Sequence, residues 1–232
     1  MNPQTPIAEV ELHRLSLARL AVVTLLLGAC GESELEPEPV RVRPASLADL
    51  TGPWRPVPFQ LDPVIRSRVE QGCRGDLQMP PGSSAAVIDA RGAGVATVRM
   101  KGPNPGSCYA LEITAAGEVT GAGAGWRADG PEKLPVLGAS ELGPIDKQTV
   151  AGGNLKIEGW SVTGRAGLEI TSVVVEPMNH MAVIATVENG WFAAWWPARP
   201  GEPARDGARY PPFVVRAFNA FGMLQDEYRQ LP

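Results

Sequence analysis

Histidine, the side chain best suited to acid–base catalysis, is nearly absent from this sequence. His13 lies near the N-terminus, and His180 lies in a turn between two strand-like runs. A hydrolase triad needs a nucleophile within reach of an oriented base. The sequence has no G-x-S-x-G motif, and Ser83-Ser84 is an ordinary loop pair. We therefore expect His180 to be a solvated turn histidine and not a catalytic base.

Motifs that bind metals, phosphates or nucleic acids are also missing. There is no H-E-x-x-H, no C-x-x-C and no D-x-D-x-D-G. The glycine-rich residues 121–125 are followed by Trp126 and Arg127, which predicts a turn and not a phosphate loop. The formal net charge of −4 gives no electrostatic footprint for nucleic acid. The sequence thus predicts no metal, no cofactor and no nucleic-acid partner.

Paired carboxylates are the one catalytic arrangement that the composition permits, since Asp and Glu together number 25. Two such groups can hydrolyse a glycosidic bond. Glu112 and Glu169 are the nearest candidates, but both alternate with apolar residues and are most simply outward-facing strand charges. We assign no catalytic residue, and the sequence favours a protein without enzymatic activity.

An aromatic and arginine-rich segment is the remaining candidate for binding. Alternation in the run 191–196 places Trp195 on one face of a strand and Trp196 on the other. A long loop, 197–212, follows, and exposed Trp beside Arg can hold sugars or anions. The candidate ligand-binding residues are Trp195, Trp196, Arg199, Arg205, Arg209 and Tyr210. The alternative, which the sequence favours, is that the tryptophans are core and the loop is a solvated hairpin.

The N-terminus has the pattern of a secretory signal. Arg14 and Arg19 precede a short apolar run, 20–27, which small residues follow. The run is shorter than the roughly 20 apolar residues that a spanning helix needs. An ordinary signal or a buried core segment is the alternative.

The end of this run, Leu27-Gly28-Ala29-Cys30, resembles the lipobox of bacterial lipoprotein signal peptides. The resemblance implies that residues 1–29 are removed and that lipid is attached to Cys30. It further implies an exported protein whose lipid anchors it to a bacterial membrane, with the folded domain outside the cytoplasm. Whether that membrane is the inner or the outer one stays open.

With Cys30 used for lipid, Cys73 and Cys108 remain as an even pair in an oxidising compartment. We therefore predict a Cys73–Cys108 disulfide. A reactive thiol or a metal ligand is the weaker alternative, because neither residue has a histidine-rich or C-x-x-C context.

The segment between leader and domain, residues 30–50, begins as an acidic chain punctuated by proline and predicts a flexible tether. The folded domain is assigned to 51–232. Its first element is a helix, with Asp62 as N-cap, Pro63 at the first helical position and Gly72 past the end. Cys73 is expected directly after this helix.

Strand patterns dominate the rest of the chain. The runs 168–176, 181–188 and 191–196 predict a three-strand antiparallel meander, and Asn189-Gly190 is a strong hairpin signal. We expect a mainly β fold, an antiparallel Ig-like β-sandwich with one short N-terminal helix and one disulfide. Residues 94–98 weakly resemble residues 183–187 in sequence. This similarity is compatible with two related halves, 51–130 and 147–232.

One motif carries a second resemblance. Residues 185–197, Ala-Thr-Val-Glu-Asn-Gly-Trp-Phe-Ala-Ala-Trp-Trp-Pro, resemble a segment of secreted or membrane-anchored proteins of high-GC bacteria. The likeness covers about the last third of the chain, and no activity is attached to it. It therefore implies an extracytoplasmic β domain and adds no chemistry.

These patterns favour a non-enzymatic binding or interaction module of the cell envelope, with an envelope protein or glycan as partner. The first alternative is a hydrolase of cell-wall or extracellular polysaccharide that acts through carboxylates. An enzyme should bring two acids together in a concave pocket, whereas a binding module should show a surface patch. The second alternative is a purely structural spacer.

Overall fold

Short apolar runs of period two build most of the folded chain. The computed structural model describes residues 44–121, 125–151, 157–178, 180–202, 204 and 209–231. The predicted signal peptide, Cys30 and tether residues 31–43 lie outside them. The described helices are α1 (Leu47–Thr51) and α2 (Pro63–Asp76). The described strands are β1 (Ser84–Ala90), β2 (Val95–Lys101), β3 (Gly106–Ile113), β4 (Val119–Gly121), β5 (Gly125–Arg127), β6 (Leu142–Val150), β7 (Gly159–Ala166), β8 (Ser172–Pro177), β9 (Val183–Ile184), β10 (Thr186–Glu188), β11 (Trp191–Pro197), β12 (Phe213–Phe218) and β13 (Leu224–Gln230).

The strands form three sheets, and every pair of neighbouring strands is antiparallel. The N-terminal sheet has the order β1-β2-β3-β4, with β5 also paired to β3. The middle sheet has the order β10-β11-β7-β6, and the outer sheet has the order β13-β12-β8-β9. The predicted mainly antiparallel β fold is therefore confirmed.

These sheets stack in layers. The middle and outer sheets face each other across the largest apolar cluster, which includes Trp160, Trp196, Val175 and Val215. This pair of sheets is the sandwich. The N-terminal sheet packs on the other face of the middle sheet, and helix α2 covers the outer side of the N-terminal sheet.

The predicted meander is only partly correct. Its first run supplies β8 of the outer sheet, and its third run supplies β11 of the middle sheet. The run 181–188 is not one strand: β9 pairs with β8, and β10 pairs with β11. The chain changes sheets at Ala185, whose small buried side chain fits between the two sheets. The likeness between 94–98 and 183–187 is not matched by structure, because residues 95–98 lie within the single strand β2.

The hairpin signal in the same region is confirmed. Asn189 and Gly190 have φ values of 50° and 74°. Positive φ at both central positions is what a type I′ turn requires, so Asn-Gly joins β10 directly to β11.

A buried ion pair holds the place where the chain changes sheets. The Arg91 guanidinium donates to both carboxylate oxygens of Asp89, at 2.7 and 2.9 Å, and neither side chain is exposed. The same guanidinium donates to the backbone oxygens of Pro56 and Ile184. Thr186 Oγ1 donates to Asp89 Oδ1 at 2.7 Å. The N-terminal sheet is thereby bonded to both β9 and β10.

Helix α2 begins as predicted and ends later. Asp62 Oδ1 accepts from the Val64 amide at 2.8 Å, and Pro63 is the first helical residue. The prediction that Gly72 lies past the end is wrong, because the helix continues to Asp76. A Cβ on Gly72 would lie 2.7 Å from Val119 Cγ1 of β4. Glycine is thus used here for close packing, and Cys73 lies inside the helix.

Folded structure also begins earlier than predicted. A second helix, α1, lies at the end of the segment assigned to the tether, with a capping box between Ser46 and Asp49. Leu50 is buried in the core under the N-terminal sheet. The amide of Gly94 donates to the Leu50 oxygen at 2.9 Å. Residues 44–50 are therefore part of the domain, and none of the described helices is long and apolar enough to cross a membrane.

The predicted disulfide is confirmed. Cys73 of α2 and Cys108 of β3 are bonded, and both are buried. The bond fixes the helix to the face of the N-terminal sheet that it covers.

Removing this bond should destabilise the domain. The two cysteines are 35 residues apart, and closing a loop of that size stabilises by about 4 kcal/mol on the chain-entropy model. We expect the Cys73→Ala/Cys108→Ala double variant to lose about that much free energy of unfolding in urea titrations. The matched control, Cys30→Ala, should unfold like the parent chain. A double variant as stable as the parent would contradict the assignment.

Candidate functional site

The two candidate tryptophans lie in the core and not on a surface. Trp195 is 0% exposed and Trp196 is 1% exposed. Trp196 faces the outer sheet, where its ring centroid lies 6.3 Å from that of Phe213. Trp195 faces the N-terminal sheet, together with Val95 and Ala110. The hypothesis that these tryptophans bind a ligand is therefore corrected: β11 is covered on both faces.

An arginine does pack against tryptophan rings in this protein, but that arginine is buried and does not lie on a surface. The Arg99 guanidinium carbon lies 4.8 Å from the ring centroid of Trp126 and 4.9 Å from that of Trp191. Arg99 is buried and also donates to Glu132. This cation–π arrangement stabilises the packing of the N-terminal and middle sheets, so Arg99 is not available to a ligand.

The loop that follows β11 has exposed candidate residues, unlike the two buried tryptophans. Arg199 and Arg209 are exposed, Tyr210 is half-buried, and Arg205 lies outside the described residues. A turn at the loop's start is held by Glu202, whose amide donates to the Arg199 oxygen and whose Oε2 accepts from the Arg199 amide, both at 2.9 Å. The structure thus brings Arg199, Arg209 and Tyr210 together.

Tyr210 attaches the end of this loop to the core. Its ring packs edge-on against Trp160 at 5.0 Å and Phe213 at 5.5 Å between centroids. Its hydroxyl donates to the Ser161 backbone oxygen at 2.7 Å. Burial raises the pKa of this hydroxyl well above its ordinary value. Tyr210 is therefore an anchor that positions the loop.

His180 is packed against the same loop. Its amide donates to Pro177 at the end of β8, and its Nε2 lies 3.2 Å from Glu202 Oε2. The imidazole is 11% exposed. The expectation of a solvated turn histidine does not describe this environment, because the imidazole is largely buried and contacts Glu202, which lies 22 residues further along the chain.

These residues line a cleft of two adjoining cavities, which share Met178, His180 and Pro212. The apolar cavity, of about 510 Å³, lies where β8, β12 and β13 end. Its lining is Glu176, Pro177, Met178, His180, Ala182, Pro212, Phe213, Val214, Arg229, Gln230 and Leu231. The cationic cavity, of about 330 Å³, is lined by Met178, His180, Arg199, Glu202, Arg209, Tyr210, Pro211 and Pro212.

The charges of the apolar cavity are neutralised within the outer sheet. Glu176 accepts from Arg216, and Arg229 donates to Glu227 at 2.5 Å. Glu227 also accepts from Arg216, and the hydrogen bonds from Arg216 and Arg229 lower its pKa. Apart from His180 and Gln230, the remaining lining residues are apolar and include the exposed Met178 and Leu231.

The described lining of the cationic cavity has no such neutralisation. Its one described carboxylate, Glu202, is bonded to His180 and to the Arg199 amide. No described carboxylate pairs with the guanidinium of Arg199 or of Arg209. The described lining of this cavity thus contains two guanidinium groups and one carboxylate, and that carboxylate already has hydrogen-bond partners.

The catalytic options do not converge on the cleft. Among the residues that the structure describes, each cavity has a single carboxylate and no serine or cysteine in its lining. Glu169 accepts instead from Ser140 Oγ at 2.7 Å, and Glu112 lies on β3. Within the described ranges, no group of His, Cys, Asp and Glu is placed to hold a metal ion. The arrangement is one that can bind and orient a ligand.

Several cleft residues were not anticipated from the sequence. Glu202, Met178, Val214, Arg229 and Leu231 come from four separate segments that meet only when β8, β12 and β13 pair. The only local signal was the long loop that contains Glu202. The other residues have no local sequence signal, because the alternation of apolar and polar residues in β12 and β13 does not indicate which end of the sheet borders a cavity.

The role of Tyr210 as an anchor can be tested against a matched tyrosine. Tyr210→Phe should lower the free energy of unfolding by about 1 kcal/mol, because it removes the hydrogen bond to Ser161. Tyr109→Phe should change it by less, since the buried Tyr109 hydroxyl has no hydrogen-bond partner among the described residues. Urea unfolding at neutral pH measures both, and equal losses would contradict the assignment.

Alkaline pH should weaken the fold through the same two residues. Burial raises the pKa of Tyr109, and the Asp146 carboxylate adds to the shift while Arg99 opposes it. Above about pH 10 the unfolded chain releases these protons and the folded chain keeps them, so stability falls as pH rises. Tyr109→Phe should lose stability less steeply than the parent between pH 9 and 11. An identical slope would show that Tyr109 ionises freely in the folded protein.

Comparison with known proteins adds no relative: no protein-family model, no curated protein and no solved structure matches this chain. What bears on function is therefore the geometry of the chain itself. That geometry is a cleft with an apolar half, a cationic half and His180 between them.

Proposed function

We propose that this protein is an exported lipoprotein, anchored by lipid on Cys30, whose domain is a non-enzymatic binding module of the cell envelope. The observation that carries the binding proposal is the cleft beside His180, with an apolar cavity and two arginines whose guanidinium groups no described carboxylate pairs. Ligand sites are typically concave and apolar, with a few polar groups that orient the ligand. The cleft has this composition.

The disulfide supports the exported location. Disulfides persist in oxidising compartments and are rare in the cytosol. The Cys73–Cys108 bond and the lipobox-like Leu27-Gly28-Ala29-Cys30 are independent features of the chain, and both favour export.

A polysaccharide hydrolase is less well supported. Glycoside hydrolysis ordinarily requires two carboxyl groups on either side of the scissile bond. Glu176 and Glu202 lie in different cavities, and each already has a basic or amide partner. The arrangement therefore favours binding over hydrolysis.

The lipid anchor predicts a labelling result. Cells that express the full chain and are fed an alkyne fatty acid should label it, and the protein should partition into detergent. Cys30→Ala should abolish both results, while the neighbouring substitution Gly31→Ala should preserve them. A labelled Cys30→Ala chain, or an unlabelled parent, would contradict lipid attachment at this residue.

The binding function predicts charge-dependent capture. Immobilised full-chain protein should retain a component of detergent-solubilised envelope, and Arg199→Ala/Arg209→Ala should lose at least about tenfold of it, because charge-assisted hydrogen bonds are removed. The matched control is Lys101→Ala/Lys133→Ala, which removes two exposed charges away from the cleft. If no envelope component is captured, a structural spacer is favoured. If the arginine and lysine double variants capture equal amounts, the cleft does not mediate the binding.

A further inference from the structure

We propose that the cleft binds an amphiphilic anion, with a carboxylate or phosphate group in the cationic cavity and an aliphatic chain in the apolar cavity. This inference rests on the proposed binding function and names its ligand class. Two observations carry it: the cavities adjoin each other, and they differ sharply in character.

The adjoining walls allow a single ligand to occupy both cavities. Met178, His180 and Pro212 line each of them, so no further layer of protein separates the two spaces. Met178 and Pro212 are joined directly, since the Met178 amide donates to the Pro212 oxygen at 2.8 Å. A ligand with a polar end and an apolar end matches this division.

The apolar cavity fits a hydrocarbon chain better than a sugar. Met178, Ala182, Val214 and Leu231 offer no hydrogen-bonding side chains. A sugar would leave hydroxyl groups unpaired against these residues, which is unfavourable. The two charged residues of this cavity, Glu176 and Arg229, are paired within the outer sheet. A buried methylene chain gains about fourfold in affinity for each CH₂ that leaves water.

The cationic cavity selects an anion at the other end. Arg199 and Arg209 have no described carboxylate partner, and a guanidinium binds carboxylate or phosphate through two parallel hydrogen bonds. Glu202 Oε2 accepts from the Arg199 amide and contacts His180, so the described lining keeps two guanidinium groups for one carboxylate. His180 Nε2 is directed to Glu202, which fixes the imidazole at the boundary between the cavities.

Titration of the full chain with a homologous series tests this assignment. The probes are acetate, inorganic phosphate, octanoate, decanoate and neutral 1-octanol, with the two fatty acids below their critical micelle concentrations and 1-octanol below its solubility limit. The readouts are calorimetric affinity and the imidazole NMR signals of the two histidines, assigned with His180→Gln. We expect decanoate to bind about fifteenfold more tightly than octanoate, at about fourfold for each methylene, and to shift only the His180 signal.

Variants separate the two ends of the ligand. Arg199→Ala/Arg209→Ala should weaken decanoate binding at least about tenfold, and exposed Met178→Asp should do the same by placing a charge beside the chain. Lys101→Ala/Lys133→Ala should bind like the parent. Equal affinity for octanoate and 1-octanol, no dependence on chain length, or unchanged affinity of the double-arginine variant would each overturn the proposal.

A vesicle arm identifies the source of the anion. Arginine-dependent binding of the Cys30→Ala chain, which carries no lipid of its own, to phosphatidylglycerol vesicles, with none to phosphatidylcholine vesicles, would assign the site to a membrane lipid. Binding of free decanoate alone would assign it to a soluble amphiphile. If every probe fails while arginine-dependent capture from envelope extracts persists, the ligand class is wrong and the binding function stands. If that capture also fails, both are wrong.

Discussion

The bidentate ion pair of Asp89 and Arg91 is the constraint on which the arrangement of the three sheets depends. Its groups are removed from water, and taking two charges out of water costs several kcal/mol for each ion. Here the cost is offset by further hydrogen bonds from Thr186 and to the oxygens of Pro56 and Ile184. Such a network has one geometry, so it specifies where the chain passes from the outer to the middle sheet.

Everything around β11 follows from that geometry. With the N-terminal sheet held on one face and the outer sheet on the other, both Trp195 and Trp196 are core residues. The aromatic side chains that could have formed a surface patch are therefore used for packing. The candidate cleft lies instead at the edge of the sandwich, where Tyr210 attaches a loop to the core and Glu202 is hydrogen-bonded to His180. The cleft exists because these strands end together.

Local signals predicted much of this fold. Asn189-Gly190 specifies its turn through positive φ, Asp62-Pro63 specifies a helix start, and Cys73 pairs with Cys108. Tertiary features were not predictable in this way. Gly72 looked like a helix stop, but its missing side chain accommodates Val119 from β4. Ala185 looked like mid-strand, because nothing local marks a residue at which the chain changes partners.

The site shows the same division between local and distant information. The loop with Arg199, Arg209 and Tyr210 was identified because its length and composition are visible in the sequence. The Glu202 contact with His180 spans 22 residues, and the Asp89–Thr186 contact spans 97. Neither contact repeats a period or matches a motif. A single sequence therefore indicates which segment is exposed and polar, but not which residues fold against it.

Hydrogen exchange in Arg91→Lys tests most directly whether this ion pair holds the crossing between the sheets. Lysine keeps the charge but loses the planar fork that reaches Asp89 and two backbone oxygens at once. We predict that amides of β9, Ala185 and β10 exchange at least about tenfold faster than in the parent, while those of α2 do not change. Unchanged exchange at Ile184–Thr186, or an equal increase throughout the chain, would contradict this account.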